Sequence, residues 1–391
     1  MKMGWAIKQL GDVLQIQNGY AFDSKSFNTT KGLPLVRIRS LKAGVETETR
    51  FDGQYDEKYV VKAGDLLIGM DGEFGCYEWK GEPALLNQRV CRLQGFSGGL
   101  VPRFLFYGVN DHLKAIEDVT GFATVKHLSS KQILGIEFPI PPLSEQHRIV
   151  AILDEAFDGI ATAKANTEKN LQNARALFES HLQSVFAQRG EGWVEKPLED
   201  VVDAQCTLSY GIVQPGHDYT NGMPVVRPTD LTAKTITLDG LKRIDPKIGD
   251  GYRRTTLRGG ELLLCVRGGT GAVSVTAPEL AGANVTRGIV PIVFAPSLIR
   301  QDFGYFLMTS EAVQSQIRAK TYGAALMQIN IGDLRKIVVS FPSLKEQSEM
   351  AARLDALATE TQRLESLYQQ KLAALDDLKK SLLHQAFSGQ I

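Results

Sequence analysis

The two halves of this 391-residue chain carry the same sequence pattern in the same order. Four pairs of segments match: Trp5-Ala-Ile-Lys8 with Trp193-Val-Glu-Lys196, Pro34–Leu41 with Pro224–Leu231, Gly64–Gly75 with Gly260–Gly271, and Ile136–Gln146 with Ile337–Gln347. One short match can arise by chance, but four matches in order indicate a duplicated unit with loop insertions. We therefore divide the chain into a long and a short segment, repeated: residues 1–143, 144–187, 188–343 and 344–391.

The two long segments are predicted to be glycine-rich α/β domains. Short β-branched runs are separated by glycines, which is typical of strands and turns. The predicted strands are Leu35–Ile38, Asp65–Ile68 and Gln88–Leu93 in the first segment, and Leu262–Val266, Ala272–Val275 and Gly288–Phe294 in the second. Short helices are predicted near residues 102–118 and 300–318.

The two short segments are predicted to be long amphipathic helices. Ser144–Ala187 has no proline and a single glycine, Gly159, and its apolar residues recur in steps of three and four, as they do in residues 344–391. Ser144 and Ser343 are placed to cap the first turns. A helix of this length measures about 65 Å and cannot bury its own apolar stripe.

We expect the two long helices to pair with each other as an antiparallel coiled coil. The predicted fold is thus α+β, with two similar α/β domains separated by the two helices and related by a pseudo-twofold axis. The alternative is that each helix packs only on its own domain.

Composition excludes several classes of protein. The apolar fraction of 43% is ordinary for a globular chain. The four cysteines form no C-x-x-C pair, which argues against a zinc ribbon and favours a reduced, cytoplasmic setting. No apolar run is long enough to span a bilayer. Net charge is zero, which argues against binding nucleic acid by overall charge alone.

Motifs for catalysis or for metal binding are missing. The sequence has no phosphate-binding loop of the G-x-x-x-x-G-K type, no G-x-S-x-G elbow, and no spacing of its six histidines that suits a metal. Only Glu78-Trp-Lys80 resembles part of a metal-dependent nuclease site, and the second half lacks an equivalent. We keep a nuclease as an improbable alternative and predict no catalytic or metal site.

Basic and aromatic residues instead predict DNA binding. Residues 242–267 hold seven basic and three acidic side chains. Arginine suits guanine edges and Gln suits adenine edges, although for any one residue a solvated charged surface is the simpler explanation. The predicted DNA-binding residues are Tyr20, Arg37, Arg39, Lys42, Arg50 and Gln88 in the first half, and Tyr210, Arg227, Lys242, Arg243, Arg253, Arg254, Arg267 and Arg287 in the second.

Five motifs are distributed over the whole chain: W-x-x-K at Trp5, N-G-Y-A-F at Asn18–Phe22, G-D-L-L-I with G-x-x-G at Gly64–Gly75, P-P-L-S-E-Q-x-x-I at Pro141–Ile149, and L-x-x-x-x-F-S-G at Leu382–Gly389. In these motifs the chain resembles the DNA specificity subunits of type I restriction-modification systems. The second half departs from the pattern, with Ser209-Tyr-Gly211 in place of N-G-Y-A-F.

This resemblance implies a non-catalytic subunit with two target-recognition domains, each reading one half of a bipartite site in double-stranded DNA. The helices would set the spacer and dock two modification subunits, which carry S-adenosylmethionine; restriction subunits, which use ATP and Mg²⁺, would join them. No cofactor and no membrane is expected for this chain itself. A stand-alone DNA-binding regulator with the same fold is the alternative interpretation.

Overall fold

The computed structural model describes residues 5–42, 47–120, 126–323 and 326–391. These residues form two compact units. Unit 1 comprises residues 1–167 and 370–391, and unit 2 comprises residues 168–369. Each unit thus contains parts of both long helices. Within the described ranges, no helix is long and apolar enough to cross a membrane.

Unit 1 combines short strands with three helices and the start of a long one. The strands are β1 (Ala6–Gln9), β2 (Gln15–Asn18), β3 (Phe27–Asn28), β4 (Leu33–Val36), β5 (Arg50–Phe51), β6 (Val60–Val61), β7 (Leu66–Gly69), β8 (Gly75–Glu78), β9 (Ala84–Leu86), β10 (Val90–Gln94) and β11 (Glu137–Ile140). The helices are α1 (Ile38–Leu41), α2 (Pro102–Val119), α3 (Ser130–Leu134) and the long α4 (Leu143–Ala187).

Three sheets organise unit 1, in the strand orders β1-β11, β2-β10-β7-β8 and β3-β5-β4-β9-β6. Strand β7 is buried on both faces, which is why its sequence is continuously apolar. Leu66 and Ile68 pack in the core that includes α2, whereas Leu67 points into a second core around Trp79. The parallel pairing of β4 with β9 brings the ends of both strands to the same edge.

Unit 2 repeats this plan. Its strands are β12 (Val194–Pro197), β13 (Met223–Val226), β14 (Thr235–Ile236), β15 (Lys242–Ile244), β16 (Leu262–Cys265), β17 (Val273–Thr276), β18 (Asn284–Val285), β19 (Ile289–Ile292) and β20 (Val338–Phe341). Its helices are α5 (Pro246–Gly249), α6 (Gln301–Thr309), α7 (Glu311–Lys320), α8 (Ile331–Arg335) and the long α9 (Leu344–Ser388).

The sheets of unit 2 have the orders β12-β20, β14-β17-β16-β19 and β15-β13-β18, and they share their central pairings with unit 1 but differ in their edge strands. Strand β16 corresponds to β7: Leu262 and Leu264 pack in the main core, and Leu263 packs on the opposite face. The parallel pair β13–β18 corresponds to β4–β9. The predicted internal repeat is therefore present in the sheets as well as in the sequence.

The long helices run antiparallel within each unit. In unit 1, Lys164 of α4 forms an ion pair with Asp376 of α9, and earlier residues of α4 share a core with Ala386. In unit 2, Arg175 pairs with Glu365 at 3.1 Å, and later residues of α4 share a core with Leu354. The predicted antiparallel coiled coil is confirmed. The alternative, that each helix packs only on its own domain, is wrong, because the first residues of α4 lie in the core of unit 1 and its last residues, Leu182 and Phe186, lie in the core of unit 2.

A buried glutamine attaches each long helix to the unit in which the helix begins. The side chain of Gln146 is fully buried; it accepts a hydrogen bond from the Val101 N–H (2.8 Å) and donates to the carbonyls of Gly99 (2.6 Å) and Pro141 (2.8 Å). Gln347 makes the equivalent three bonds to Arg300, Leu298 and Pro342 at 2.8–2.9 Å. These bonds explain the glutamine of the repeated P-x-L-x-E-Q motif.

A cation on an aromatic pair makes a second attachment in each unit. In unit 1, Arg103 lies over Phe106 and Tyr107 and pairs with Asp154 of α4 at 2.8 Å. In unit 2, Lys234 lies over Tyr305 and Phe306 and pairs with Asp355 of α9. The cations come from different places in the chain but perform the same role.

Several local predictions differ from the structure. Ile38 begins α1 instead of ending a strand, and Gln88 lies in the turn before β10. The helix predicted near 300–318 is two helices, because Ser310 ends α6 and its backbone is extended. Ser343 caps α9 through Glu346, whereas Ser144 lies inside α4, which begins at Leu143.

Candidate nucleic-acid interface

Five segments of unit 1 meet where strands β4, β7 and β9 end. We call this the first junction; it consists of Tyr20, residues 36–37, residues 70–72, residues 87–89 and residues 126–128. Main-chain hydrogen bonds hold it together: Gln88 N–H to Tyr20 O (3.0 Å), Asn87 N–H to Val36 O (3.3 Å), Met70 N–H to Arg89 O (3.0 Å), Leu128 N–H to Met70 O (2.7 Å) and Gly72 N–H to Lys126 O (2.9 Å).

Unit 2 contains the same junction with the same bonds. This second junction consists of Ile212, residues 226–227, residues 266–268, residues 286–288 and residues 327–329. The bonds are Arg287 N–H to Ile212 O (2.8 Å), Thr286 N–H to Val226 O (2.9 Å), Val266 N–H to Gly288 O (2.8 Å), Ile329 N–H to Val266 O (3.0 Å) and Gly268 N–H to Met327 O (2.9 Å). The two junctions share a backbone and differ in their side chains.

Predicted DNA-binding residues gather beside the first junction. Arg37, Arg39 and Gln88 line a cleft of about 430 Å³. The guanidinium of Arg37 lies 5.5 Å from the ring centre of Phe27, which holds it over an aromatic face. Tyr20 is half exposed beside this cleft. The cleft therefore presents arginine and amide donors next to aromatic rings, the combination that suits base edges.

The same cleft contains an arginine that sequence reasoning missed. Arg89 lines it, and the buried carboxylate of Asp71 accepts hydrogen bonds from Arg89 and from Nδ1 of His127, the latter at 2.6 Å. The side chains of Arg89 and His127 remain 58% and 66% exposed, whereas that of Asp71 is 9% exposed. Asp71 thus fixes the positions of two outward-facing side chains.

The second junction presents a different set of predicted residues. Arg227 is held by Asp230, which accepts from its guanidinium at 2.8 and 3.1 Å. Arg267 and Arg287 have no ion-pair partner among the residues that the structure describes. Tyr210 reaches the same place, since its hydroxyl lies 3.5 Å from the Ile329 carbonyl. Free guanidinium groups on an open surface suit a polyanion.

Other predicted DNA-binding residues form ion pairs and hydrogen bonds within their own unit. Lys42 forms an ion pair with Glu73, and Arg50 bonds both Glu82 and the Gly32 carbonyl at 2.9 Å. Neither lines the cleft beside the first junction.

In unit 2, Lys242 and Arg243 are also used locally, since they donate to the carbonyls of Gly216 (2.7 Å) and Gly222 (3.0 Å). Arg253 and Arg254 line a separate basic cleft of about 960 Å³, together with Arg258. The structure therefore divides the predicted residues of unit 2 between the junction, this basic cleft and local contacts.

The residues proposed for a nuclease do not form a metal site. The carboxylate of Glu78 accepts a hydrogen bond from Arg103 at 2.6 Å and so belongs to the attachment between α2 and α4. Over the described ranges, no group of three histidine, cysteine or acidic side chains is placed to hold a metal ion. Glu78 thus has a structural role in this unit.

Comparison with known proteins agrees with this geometry. The model of the type I restriction modification DNA specificity domain matches residues 2–173 and again residues 190–373. The type I restriction enzyme EcoBI specificity subunit of Escherichia coli is 30% identical over 99% of this chain and 86% of its own length. The MjaVIII specificity subunit of Methanocaldococcus jannaschii is 21% identical over 99% of this chain and 93% of its own.

Solved structures show the same fold. A chain from a study of complex assembly and conformational transition of the type I R-M system superposes with a TM-score of 0.72 at 19% identity, covering 99% of this chain and 98% of its own. The HsdS subunit from Thermoanaerobacter tengcongensis superposes with a TM-score of 0.57 at 19% identity, covering 100% of this chain and 98% of its own. With two matches to the family model and a relative along its whole length, this chain belongs to the family of type I restriction-modification DNA specificity subunits, whose role is to recognise DNA.

Proposed function

We propose that each unit reads one half of a bipartite DNA sequence through its junction. The observation that carries this proposal is the pair of junctions, which have equivalent main-chain hydrogen bonds but different side chains. A shared backbone places both sets of side chains in the same way against a duplex. Different side chains then select different bases, so the two half-sites differ in sequence.

The long helices connect the two reading surfaces. Because the first turn of each helix is bonded through Gln146 or Gln347 to the unit in which that helix begins, a change in helix length moves one unit along the DNA axis. The helices therefore set the number of base pairs between the half-sites. Reading both from one face of the duplex requires centres about 34 Å apart or a little more, which is within the length of these helices.

The subunit acts as the targeting part of a larger enzyme. Two modification subunits dock on it and supply S-adenosylmethionine, and restriction subunits that use ATP and Mg²⁺ join in the complete complex. The chain itself then needs no cofactor. Because its substrate is chromosomal and invading DNA, it works in the cytoplasm of its host.

A domain exchange tests whether each unit reads one half-site. Residues 1–143 are replaced by the corresponding segment of a relative with a known target, and the chain is assembled with its modification subunits. Sequencing of methylated adenines should show one altered half-site and one unchanged half-site. Alteration of both half-sites would refute the proposal.

A second experiment tests the helices as a ruler. Removing one heptad from both α4 and α9 shortens the coil by about 10 Å while preserving its apolar seam. The spacer between the methylated half-sites should change and the half-sites themselves should not. An unchanged spacer would show that the coil does not set it.

A further inference from the structure

At three structurally equivalent positions, the two junctions carry side chains of different charge and size. Position 71 in unit 1 corresponds to position 267 in unit 2, because both form the bridge at the end of the central strand: Asp71 with His127, and Arg267 with Gln328. Position 89 corresponds to 288, because both carbonyls accept the hydrogen bond from that strand. The triad Asp71, Arg89 and His127 is therefore replaced by Arg267, Gly288 and Gln328.

The arginines stand at different positions in the two junctions. In unit 1, Arg89 follows strand β9 and is paired with the buried Asp71. In unit 2, Arg267 takes the position of that acid, and the arginine that follows strand β18, Arg287, takes the position of Gln88. Position 288 cannot carry a side chain there, because a Cβ atom on Gly288 would lie 2.4 Å from the ring of Pro228. The arginine at position 89 of unit 1 therefore has no counterpart at position 288 of unit 2.

Burial and exposure assign different roles within the triad. Asp71 is buried and has both carboxylate oxygens occupied, one by Arg89 and one by His127. Arg89 and His127 are mostly exposed and lie on the open side of the junction. An arginine whose guanidinium is held by a buried carboxylate loses less side-chain entropy when it binds a guanine edge than a free one.

Resting on the function proposed above, we propose that these three positions determine which bases each unit reads. Arg89 and His127 contact bases of the first half-site, Asp71 is a positioning residue that acts through them, and Arg267 takes the place of Arg89 in the second unit. The chemical partner is the major-groove edge of a base pair, with guanine as the partner of each arginine.

The test uses the full chain assembled with its modification subunits and a DNA library with randomised sequence. Methylated adenines are located by sequencing, which reports base preference at every position of both half-sites. The variants are Arg89→Ala, His127→Ala, Asp71→Asn and Arg267→Ala. Arg318→Ala is the matched control, because Arg318 is 57% exposed, is paired with one acid, Glu311, and lies outside both junctions.

We expect Arg89→Ala to reduce the preference for one base pair by about 5- to 150-fold, the range for a lost bidentate contact, within one half-site only. Arg267→Ala should do the same in the other half-site. His127→Ala should relax the half-site that Arg89→Ala relaxes. Asp71→Asn should relax that same half-site, and should add nothing in a chain that already lacks both Arg89 and His127.

Three results would overturn the inference. One is that Arg89→Ala and Arg267→Ala alter the same half-site. Another is that both lower methylation evenly at every sequence, as a phosphate contact would. The third is that neither differs from Arg318→Ala. If the wild-type complex itself methylates no bipartite sequence, the proposed function fails together with the inference. Arg89→Ala and His127→Ala remove exposed side chains, so these tests do not depend on the stability of Asp71→Asn.

Discussion

Replacement of Gln146 by leucine should destabilise unit 1 strongly. Leucine is similar in size to glutamine but offers no hydrogen bond. The substitution leaves the Val101 N–H and two carbonyls without the partner that Gln146 provides. Because Gly99 is exposed, its carbonyl can bind water, whereas the Pro141 carbonyl lies in a buried contact.

The size of the effect follows from these two unpaired groups. Each buried group that loses its only partner costs about 1–3 kcal/mol, and the added apolar surface of leucine returns about 1 kcal/mol. We therefore expect the free energy of unfolding of unit 1 to fall by about 1–5 kcal/mol. Gln347→Leu should destabilise unit 2 by a similar amount, since its three bonds are equivalent.

The three tryptophans allow the units to be followed separately. Trp5 and Trp79 belong to unit 1 and Trp193 to unit 2, so a Trp193→Phe background reports only the first. Urea denaturation of this background is compared with and without Gln146→Leu. Gln54→Leu, at an exposed position of unit 1, is the control. A loss within about 0.5 kcal/mol, typical of surface substitutions, would refute the reasoning.

Three further outcomes are expected. Arg254→Ala, in the basic cleft of unit 2, should weaken binding of all DNA sequences alike and should lower the slope of log affinity against log salt concentration by about 1. Fluorescence anisotropy in a series of salt concentrations measures both effects, and a sequence-selective loss of affinity would contradict the prediction. Burial raises the pKa of the Cys91 thiol to about 12, so alkylation of the native chain should modify the partly buried Cys206 first. Peptide mass spectrometry measures the two rates, and equal rates would contradict the packing. Hydrogen bonds from the Phe74 N–H and, second, from Lys114 hold the pKa of Glu117 below its usual 4.5. The ionised carboxylate therefore stabilises the fold above pH 4.5, and this stabilisation is lost as the pH falls through the lower folded pKa. The stability difference between wild type and Glu117→Gln should shrink from about pH 7 to about pH 3, and a constant difference would refute the assignment.

The repeat and the helices could be predicted from sequence because both are periodic signals. Apolar steps of three and four identify α4 and α9, and the paired motifs identify the duplicated unit. The role of the repeated glutamine could not be predicted, since its partners include residues more than 40 positions away. The attachment made by Arg103 and Lys234 leaves no repeat signal, because the two cations arise at unrelated positions of the chain.

The candidate interface was predictable only in part. Arg37 and Arg39 could be found because they lie at the end of a predicted strand, and strand ends are where loops present side chains. The support of Arg89 by Asp71 depends on main-chain pairing between distant segments, which the sequence does not display. Lys42 and Arg50 show the opposite case, since nearby carboxylates occupy basic residues that sequence alone leaves available.

The firm bonding of each long helix at its first turn has a consequence for how such chains can diversify. An α-helix advances about 1.5 Å and turns about 100° per residue, so one inserted residue would rotate everything beyond it through more than a quarter-circle. Because Gln146 and Gln347 fix the first turn of each helix to its unit, the helix cannot rotate there to compensate for the inserted residue. Tolerated length changes should therefore come in steps of near-complete turns, and the set of DNA spacings open to descendants of this chain should be discrete.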